Sequence, residues 1–392
     1  MLCFYNLLRS PRLRARISVA VNASTVKVAV NAWFLDAPEA HTTGSGQYTA
    51  QLLSALATVA PDIRFEPVFP RRRGDWDKLF FEQVTFPRAA QRMKADLAFV
   101  PYWGPPLASA VPVVVTIHDV IPLALPAYRG GLRQRAYASL VRAAAANAAA
   151  VITDSEFSKG DIVRYLALPP ERVTVVPLAV SARFTPSVPE DDLARVQARY
   201  QLPERYVLYL GGFDARKNIE TLMQVYVWCG EAIGEEYPLV ICGAPTTLVV
   251  SDGGERLTLA EMAARLEISD VVRFIGPVAE EDKPAVYAGA RCFLYPSSYE
   301  GFGLPPLEAM ACGVPVVGSN AASISEVVGN AGILVDPKDA RRMAGALIAA
   351  CIEDDLHDRL CRRALLRAAQ LTWERTAIET AAVLRRVYEQ RC

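Results

Sequence analysis

The sequence predicts an α/β protein made of two doubly wound parallel sheets. Three observations lead there. The chain has 392 residues, more than one ordinary α/β domain needs. Short, nearly continuous apolar runs alternate with longer amphipathic stretches. The alternation breaks once, over residues 177–203, and then restarts. Runs that are apolar on both faces are what parallel strands need when helices cover the sheet on either side.

The first strands are expected at Val26–Phe34, Ile63–Phe69, Asp96–Pro101, Pro112–Ile117, Ala150–Thr153 and Val173–Val176. Helices fill the intervals, the clearest over Leu132–Ala149, where alanine favours the helix and arginine solvates one side. Pro186, Pro189 and the acidic run Glu190–Asp192 then read as a linker with one short helix. The second series is expected at Tyr206–Gly212, Pro238–Gly243, Val272–Gly276, Arg291–Pro296, Val314–Ser319 and Gly332–Val335, with helices after Lys338 and Trp373. The predicted division is an extension over 1–25, a first domain over 26–196, a second over 197–370, and a last helix over 371–392 that packs back towards the first domain. The two sheets are expected to face each other across a cleft. No solenoid-length repeat recurs.

Composition narrows the function. Hydrophobic residues make up 52% of the chain and the formal net charge is +0, so the cores are well filled and a disordered chain is excluded. A nucleic-acid partner is not expected, because phosphate contacts would need a basic excess. The eight cysteines are scattered without a C-x-x-C pair, which suits a reducing cytoplasm better than a zinc or disulfide framework. No uncharged apolar run reaches the length of a membrane span. The extension starts apolar and continues with Arg9, Arg12, Arg14 and Arg16, the reverse of a signal peptide's order. It reads as a poorly ordered tail; its other reading is an interfacial anchor giving peripheral contact with the cytoplasmic face of a membrane.

The stretch from Tyr295 to Val317 carries the chemistry. A strand ends at Tyr295, a loop holds Glu300, Gly301 and Gly303, and a helix opens near Pro305 or Pro306, where a missing N–H costs nothing. Gly313 ends the helix and Pro315 follows as a stop. A glycine loop at the carboxyl end of a strand thus meets a helix N-terminus, which is an anion site suited to a pyrophosphate. Glu300 and Glu308 flank it, able to accept hydrogen bonds from sugar or ribose hydroxyls. Taken singly, Glu300 is equally well a loop carboxylate, and Glu308 a first-turn charge that stabilises the helix dipole. Upstream, Gly211 and Gly212 follow a strand, and Arg216 and Lys217 stand at a helix start, where the dipole is already positive. That misfit points to phosphate binding.

The string Glu300-Gly-Phe-Gly-Leu-Pro-Pro-Leu-Glu308 resembles the paired-glutamate motif of family 4 retaining glycosyltransferases of the GT-B fold, and looks most like members that use GDP-mannose or a related donor. The resemblance runs from about Val26 onward and is strongest over Tyr206–Pro337. It implies that Glu300 meets donor-sugar hydroxyls beside the reacting carbon, and that Glu308 holds the ribose. Phe302, Gly303 and Leu304 would present N–H groups to sugar and phosphate. Lys217 would meet the diphosphate. Many members carry arginine where this chain has Gly212, so Arg216 is the candidate for the second cation. In the first half, His118 and Asp119 follow a strand at the carboxyl edge; the resemblance assigns His118 to the active site, near the donor sugar. Tyr102 and Trp103, after another strand, are candidates for acceptor stacking with Asp119 nearby. Gly44 and Gly46, in the loop His41–Thr49, would approach donor phosphate and acceptor.

The implied reaction is transfer of a mannose-like hexose from a GDP- or UDP-linked sugar to a glycan or lipid-linked acceptor, with retention and no resident metal or organic cofactor. Such an enzyme would serve cell-surface polysaccharide or glycolipid synthesis. No D-x-D closes a strand. The alternatives are a nucleotide-sugar epimerase or hydrolase on the same fold, and an NAD-dependent oxidoreductase. The last has Gly44, Gly46 and Glu66 at suggestive spacing, but Thr49 where the third glycine belongs. Ser323-Ile-Ser-Glu326 reads as a capping box, Ser155 as an N-cap, and Arg71–Arg73 as a solvated loop.

Overall fold

The computed structural model describes residues 25–35, 43–243, 249–250 and 256–391. The expected extension, up to residue 24, lies outside the described residues. Every predicted strand forms. The first six are β1 (Val26–Asn31), β2 (Ile63–Val68), β3 (Leu97–Val100), β4 (Val113–Thr116), β5 (Ala150–Thr153) and β6 (Val173–Val175). They make one parallel sheet in the order β2-β1-β3-β4-β5-β6. The second series is β7 (Val207–Leu210), β8 (Leu239–Cys242), a short β9 (Val249–Val250) and β10 (Arg256–Leu257), β11 (Val272–Gly276), β12 (Cys292–Tyr295), β13 (Val316–Ser319) and β14 (Ile333–Val335). Its six-stranded sheet runs β11-β8-β7-β12-β13-β14, with β9 and β10 pairing separately. The inner strands are buried on both faces, Val28 to Val30 and Val207 to Tyr209 being fully enclosed, which explains their continuous apolar sequence.

β1 stops three residues short of the expected Phe34. The Asn31 side chain accepts the Trp33 N–H at 3.1 Å, a local bond that turns the chain out of the sheet.

The described chain forms two compact units, one reaching Pro177 and including the segment from Trp373, the other Leu178–Thr372. The boundary falls at Pro177 instead of 196. The helix Glu190–Tyr200 joins the second unit because Arg195, Arg199 and Tyr200 converge on Asp282 at 2.8, 2.9 and 2.9 Å. Asp282 is fully buried, and a carboxylate in that position requires such partners. In the first unit, the helix Trp373–Glu389 packs on the helix Gly44–Val59. Arg385 secures it to Asp62 at 2.6 and 2.8 Å.

Among the described residues no helix is long and apolar enough to cross a membrane. Cys229, Cys242, Cys292, Cys312 and Cys351 are free and buried, and Cys361 is free and half-buried.

Candidate active site

Strand order locates the site in each unit. Where the order of an open parallel sheet reverses, the connections leave on opposite faces and a crevice opens at the carboxyl ends. In the second sheet the reversal lies between β7 and β12. The two loops leaving those strands carry Gly211 to Lys217 and Pro296 to Gly303.

The loops are stitched together. The Arg216 carbonyl accepts the Ser298 N–H at 2.7 Å and the Ser297 hydroxyl at 3.0 Å. Asn218 donates to the Pro296 and Pro337 carbonyls at 3.2 and 2.8 Å. Arg216 and Lys217 lie on a single 3-10 turn, Ala215–Lys217, and the long helix starts only at Ile219. Both cations close on Glu300: Lys217 Nζ on Oε1 at 2.6 Å and Arg216 on Oε2 at 2.5 Å. Oε1 also accepts from Tyr295 at 2.8 Å and Ser297 at 2.7 Å. Burial works against the Glu300 charge, but Lys217 and Arg216 outweigh it and hold the carboxyl below its usual range. Burial pulls Lys217 below the ordinary lysine value, with Arg216 adding to the pull and Glu300 opposing it.

The turn after Glu300 is built for close approach. Gly303 has φ +114° and ψ +53°, a conformation open to glycine and strained for other residues, and the helix Leu304–Ala311 begins on it. That start is slightly earlier than the prolines suggested. Gly313, at φ +78° just past the helix end, is the expected left-handed terminator. Leu304 opens the helix, and Phe302, 7% exposed, anchors the turn from below. The first N–H groups of the helix have no intrahelical acceptor, so this turn offers donors and a positive dipole end to an anion.

Glu308 faces a different set of partners. Tyr287 donates to it at 2.9 Å. Burial pushes its carboxyl up to about 7, while Lys283 and the Tyr287 bond pull down and Glu280 pushes up. Gly212 is exposed, and its carbonyl accepts the Tyr209 hydroxyl at 2.6 Å.

In the first sheet the order reverses between β1 and β3, and His118 lies two residues past the end of β4, the strand beside β3. His118 Nδ1 lies 2.8 Å from Asp154 Oδ2. The Tyr48 ring stands edge-on to the imidazole, 4.6 Å between centroids. Burial disfavours the imidazolium, but Asp154, helped by Asp119, more than compensates and raises the His118 pKa. Asp119 Oδ1 accepts the Ile121 N–H at 3.0 Å and so starts the next helix.

Several expectations are corrected here. Gly44 and Gly46 are not in a loop: they open the helix Gly44–Val59, whose N-cap Thr43 accepts the Gly46 N–H. Tyr102 is 2% exposed, with its hydroxyl 3.0 Å from Asn31; it is a core residue, unable to stack on a ligand. Trp103 is half-buried against the same core, and its carbonyl accepts from Tyr137 at 3.2 Å. Ser323 forms no capping box. It has helical backbone angles, and its hydroxyl lies 2.8 and 2.7 Å from the Glu300 and Phe302 carbonyls. Glu66, on β2, pairs with Arg64 on the same strand and with Lys27 on β1. Ser155 does cap its helix, accepting from Ser158 at 3.0 Å. Arg73 donates to the Trp33 carbonyl at 2.7 Å, so that arginine is anchored.

Two family models divide the chain between them. The model described as Glycosyltransferase Family 4 matches residues 42–184, and Glycosyl transferases group 1 matches residues 191–367. The O-antigen chain mannosyltransferase B of Escherichia coli is 36% identical over 268 residues, which is 68% of each chain. This chain belongs to the family 4 glycosyltransferases.

The glycosyltransferase is also 29% identical over 327 residues to the serotype-specific mannosyltransferase WbdA of Escherichia coli; the match covers 82% of this chain but only 36% of that longer relative. Sucrose-phosphate synthase from Thermosynechococcus elongatus aligns with a TM-score of 0.69 at 22% identity, over 93% of this chain and all of that one. The fold is GT-B.

Sequence reasoning missed Asp154, Tyr295, Ser297 and Tyr287 in the glycosyltransferase. Asp154 had a readable signal: it follows β5 as His118 follows β4, and the two strands are neighbours. Tyr295 and Tyr287 look like apolar core in sequence, and only their hydroxyl partners separate them from it. Among the described residues no three His, Cys, Asp or Glu side chains converge as metal ligands would.

Proposed function

We propose that the glycosyltransferase moves a mannose-like hexose from a GDP- or UDP-linked sugar to a glycan or lipid-linked acceptor, in cell-surface polysaccharide or glycolipid synthesis. The observation that carries this reading is the grouping of Lys217, Arg216 and Glu300 before the left-handed Gly303 turn, at the reversal point of the second sheet. Two cations and a helix start supply fixed positive charge where the leaving diphosphate gains negative charge, which is electrostatic catalysis by preorganised groups. Glu300 is the carboxylate that would take the sugar hydroxyls, and Glu308 the one that would take the ribose. His118 is the first unit's candidate for contact with substrate. The bond from the anomeric carbon to the diphosphate breaks, a bond to the acceptor oxygen forms, and the acceptor proton leaves with the products. In this reading the nucleotide sugar is a co-substrate, no resident metal or cofactor takes part, and the configuration is retained. The mannose preference draws on the likeness to the O-antigen mannosyltransferase. We place the enzyme in the cytoplasm, where nucleotide sugars are made, with peripheral contact at the membrane when the acceptor is lipid-linked.

A thermal-shift panel of GDP, UDP, ADP and their sugars tests this. A nucleoside diphosphate at about a hundred times its Kd stabilises the fold by roughly 2.7 kcal/mol, so GDP or UDP and the matching sugar should raise the Tm together. A flat response to every member would remove the proposal. Incubation with GDP-mannose alone separates transfer from the alternatives, since rapid epimerisation or hydrolysis without acceptor would favour those.

A further inference from the structure

We infer that Asp154 is a positioning residue for sugar transfer: it receives the His118 Nδ1 proton, fixes the orientation of the ring, and leaves Nε2 as the nitrogen that meets the substrate. The inference deepens the reading above and rests on its assignment of His118. Four observations lead to it.

First, Asp154 is 2% exposed and its Oδ2 sits 2.8 Å from His118 Nδ1. An ionised carboxylate accepts and does not donate; burial pushes the Asp154 carboxyl up and His118 pulls it down, and while Asp154 carries its charge the hydrogen of that bond belongs to the imidazole. Second, the ring is held from the side. Tyr48 stands edge-on at an interplanar angle of 86°, and its own hydroxyl is 3.2 Å from Thr116 at the end of β4. Turning the imidazole over would break the Asp154 bond and strand a buried charge. Third, His118 Nε2 is enclosed and has no hydrogen-bond partner among the described residues; the Pro101 carbonyl favours the cation without reaching hydrogen-bond geometry. An enclosed ring nitrogen without a partner is costly, and a hydrogen bond to a ligand removes the cost. Fourth, the charged side chains acting on the imidazole are both acids. Asp154 comes from the end of β5, Asp119 from the loop of His118 itself, and Tyr48 from the helix Gly44–Val59. The two acids favour the imidazolium, and burial keeps the Tyr48 hydroxyl protonated. With Asp154 on Nδ1, His118 presents Nε2 to a ligand, as a donor in the imidazolium and as an acceptor in the neutral ring.

The test uses the full chain and needs no knowledge of the acceptor. With only three histidines in the sequence, the ring signals of protein carrying labelled histidine are assigned by His118→Asn. Removing an adjacent opposite charge shifts a pKa by about one to three units, so Asp154→Asn should lower the His118 titration midpoint by that amount, while Asp154→Glu should keep it high. Ring-nitrogen shifts of the wild type above its midpoint should report a proton on Nδ1. In the slow background hydrolysis of GDP-mannose without acceptor, Asp154→Asn should lower kcat about ten- to a hundredfold, the scale of a charge-assisted hydrogen bond, with the donor KM unchanged and the alkaline limb of the profile moved to lower pH. An unchanged midpoint, or a neutral wild-type ring protonated on Nε2, would overturn the inference; the second result is available even when Asp154→Asn does not fold. Normal turnover in His118→Asn would instead sink the assignment of His118, while leaving the titration result standing.

Discussion

Burial pushes the Glu308 carboxyl up to about 7, and in the proposed role its charge would decide how well it accepts hydrogen bonds from ribose hydroxyls. Because its value is raised to about 7, the ionised, binding form is complete above that pH and is lost as the pH falls through it. Nucleoside diphosphate affinity should therefore weaken towards acid, approaching about tenfold per unit well below pH 7, and Glu308→Gln should abolish that slope; isothermal titration from pH 5.5 to 8.5 reads both. Glu300 makes the opposite case. In the unliganded chain it occupies the cations that a diphosphate would need. Glu300→Gln should tighten binding of GDP or UDP without sugar by about tenfold, the low end of one charge-assisted contact, while slowing transfer. A mutant with weaker diphosphate binding would show that Lys217 and Arg216 need Glu300 to be positioned at all. Both glutamates were legible in sequence through their spacing and their glycines. Their hydroxyl partners were not, because Tyr287 and Tyr295 lie in apolar strings and their roles depend on a bond from a single oxygen.

At the level of the element, the Glu300–Leu304 turn depends on one left-handed residue and one serine. A Cβ on Gly303 would meet nothing nearer than Val327 Cγ2 at 4.0 Å, so the obstacle to alanine is backbone conformation alone. Gly303→Ala should cost about 1–3 kcal/mol of strain, read as a lower Tm and a larger loss of donor affinity than Ser323→Ala produces. Equal affinity in Gly303→Ala and wild type would exclude this turn from the diphosphate site. The strands were readable because parallel strands covered on both faces leave an unbroken apolar record, as in Val207–Leu210 and Cys292–Tyr295. Ser323 shows the limit of that record. Its S-x-x-E spacing fits a capping box, but two carbonyls of the preceding loop lie closer to its hydroxyl than any helix N–H, and tertiary contact overrides the local motif.

For the whole molecule, the sequence marked both sheets and the return of the last helix, and misplaced the boundary. The acidic run Glu190–Asp192 reads as solvated linker until Asp282 is seen to gather Arg195, Arg199 and Tyr200 from the same helix. The first unit owes part of its core to residues far along the chain: Ala377, Ala381 and Leu384 are buried on the helix that covers Gly44–Val59. Removing residues from Trp373 onward should destabilise the first unit selectively. Hydrogen exchange should show the Gly44–Val59 amides losing protection while those of β7, β8 and β12 keep theirs; uniform loss would mean that the two units unfold as one.

That long-range closure also bears on biogenesis. As the polypeptide leaves the ribosome, the second unit has all its strands available before the first has its final helix. The earlier-made sheet must therefore wait with the Tyr48 face uncovered while almost two hundred later residues are translated, and a chaperone that shields apolar surface would act during that interval.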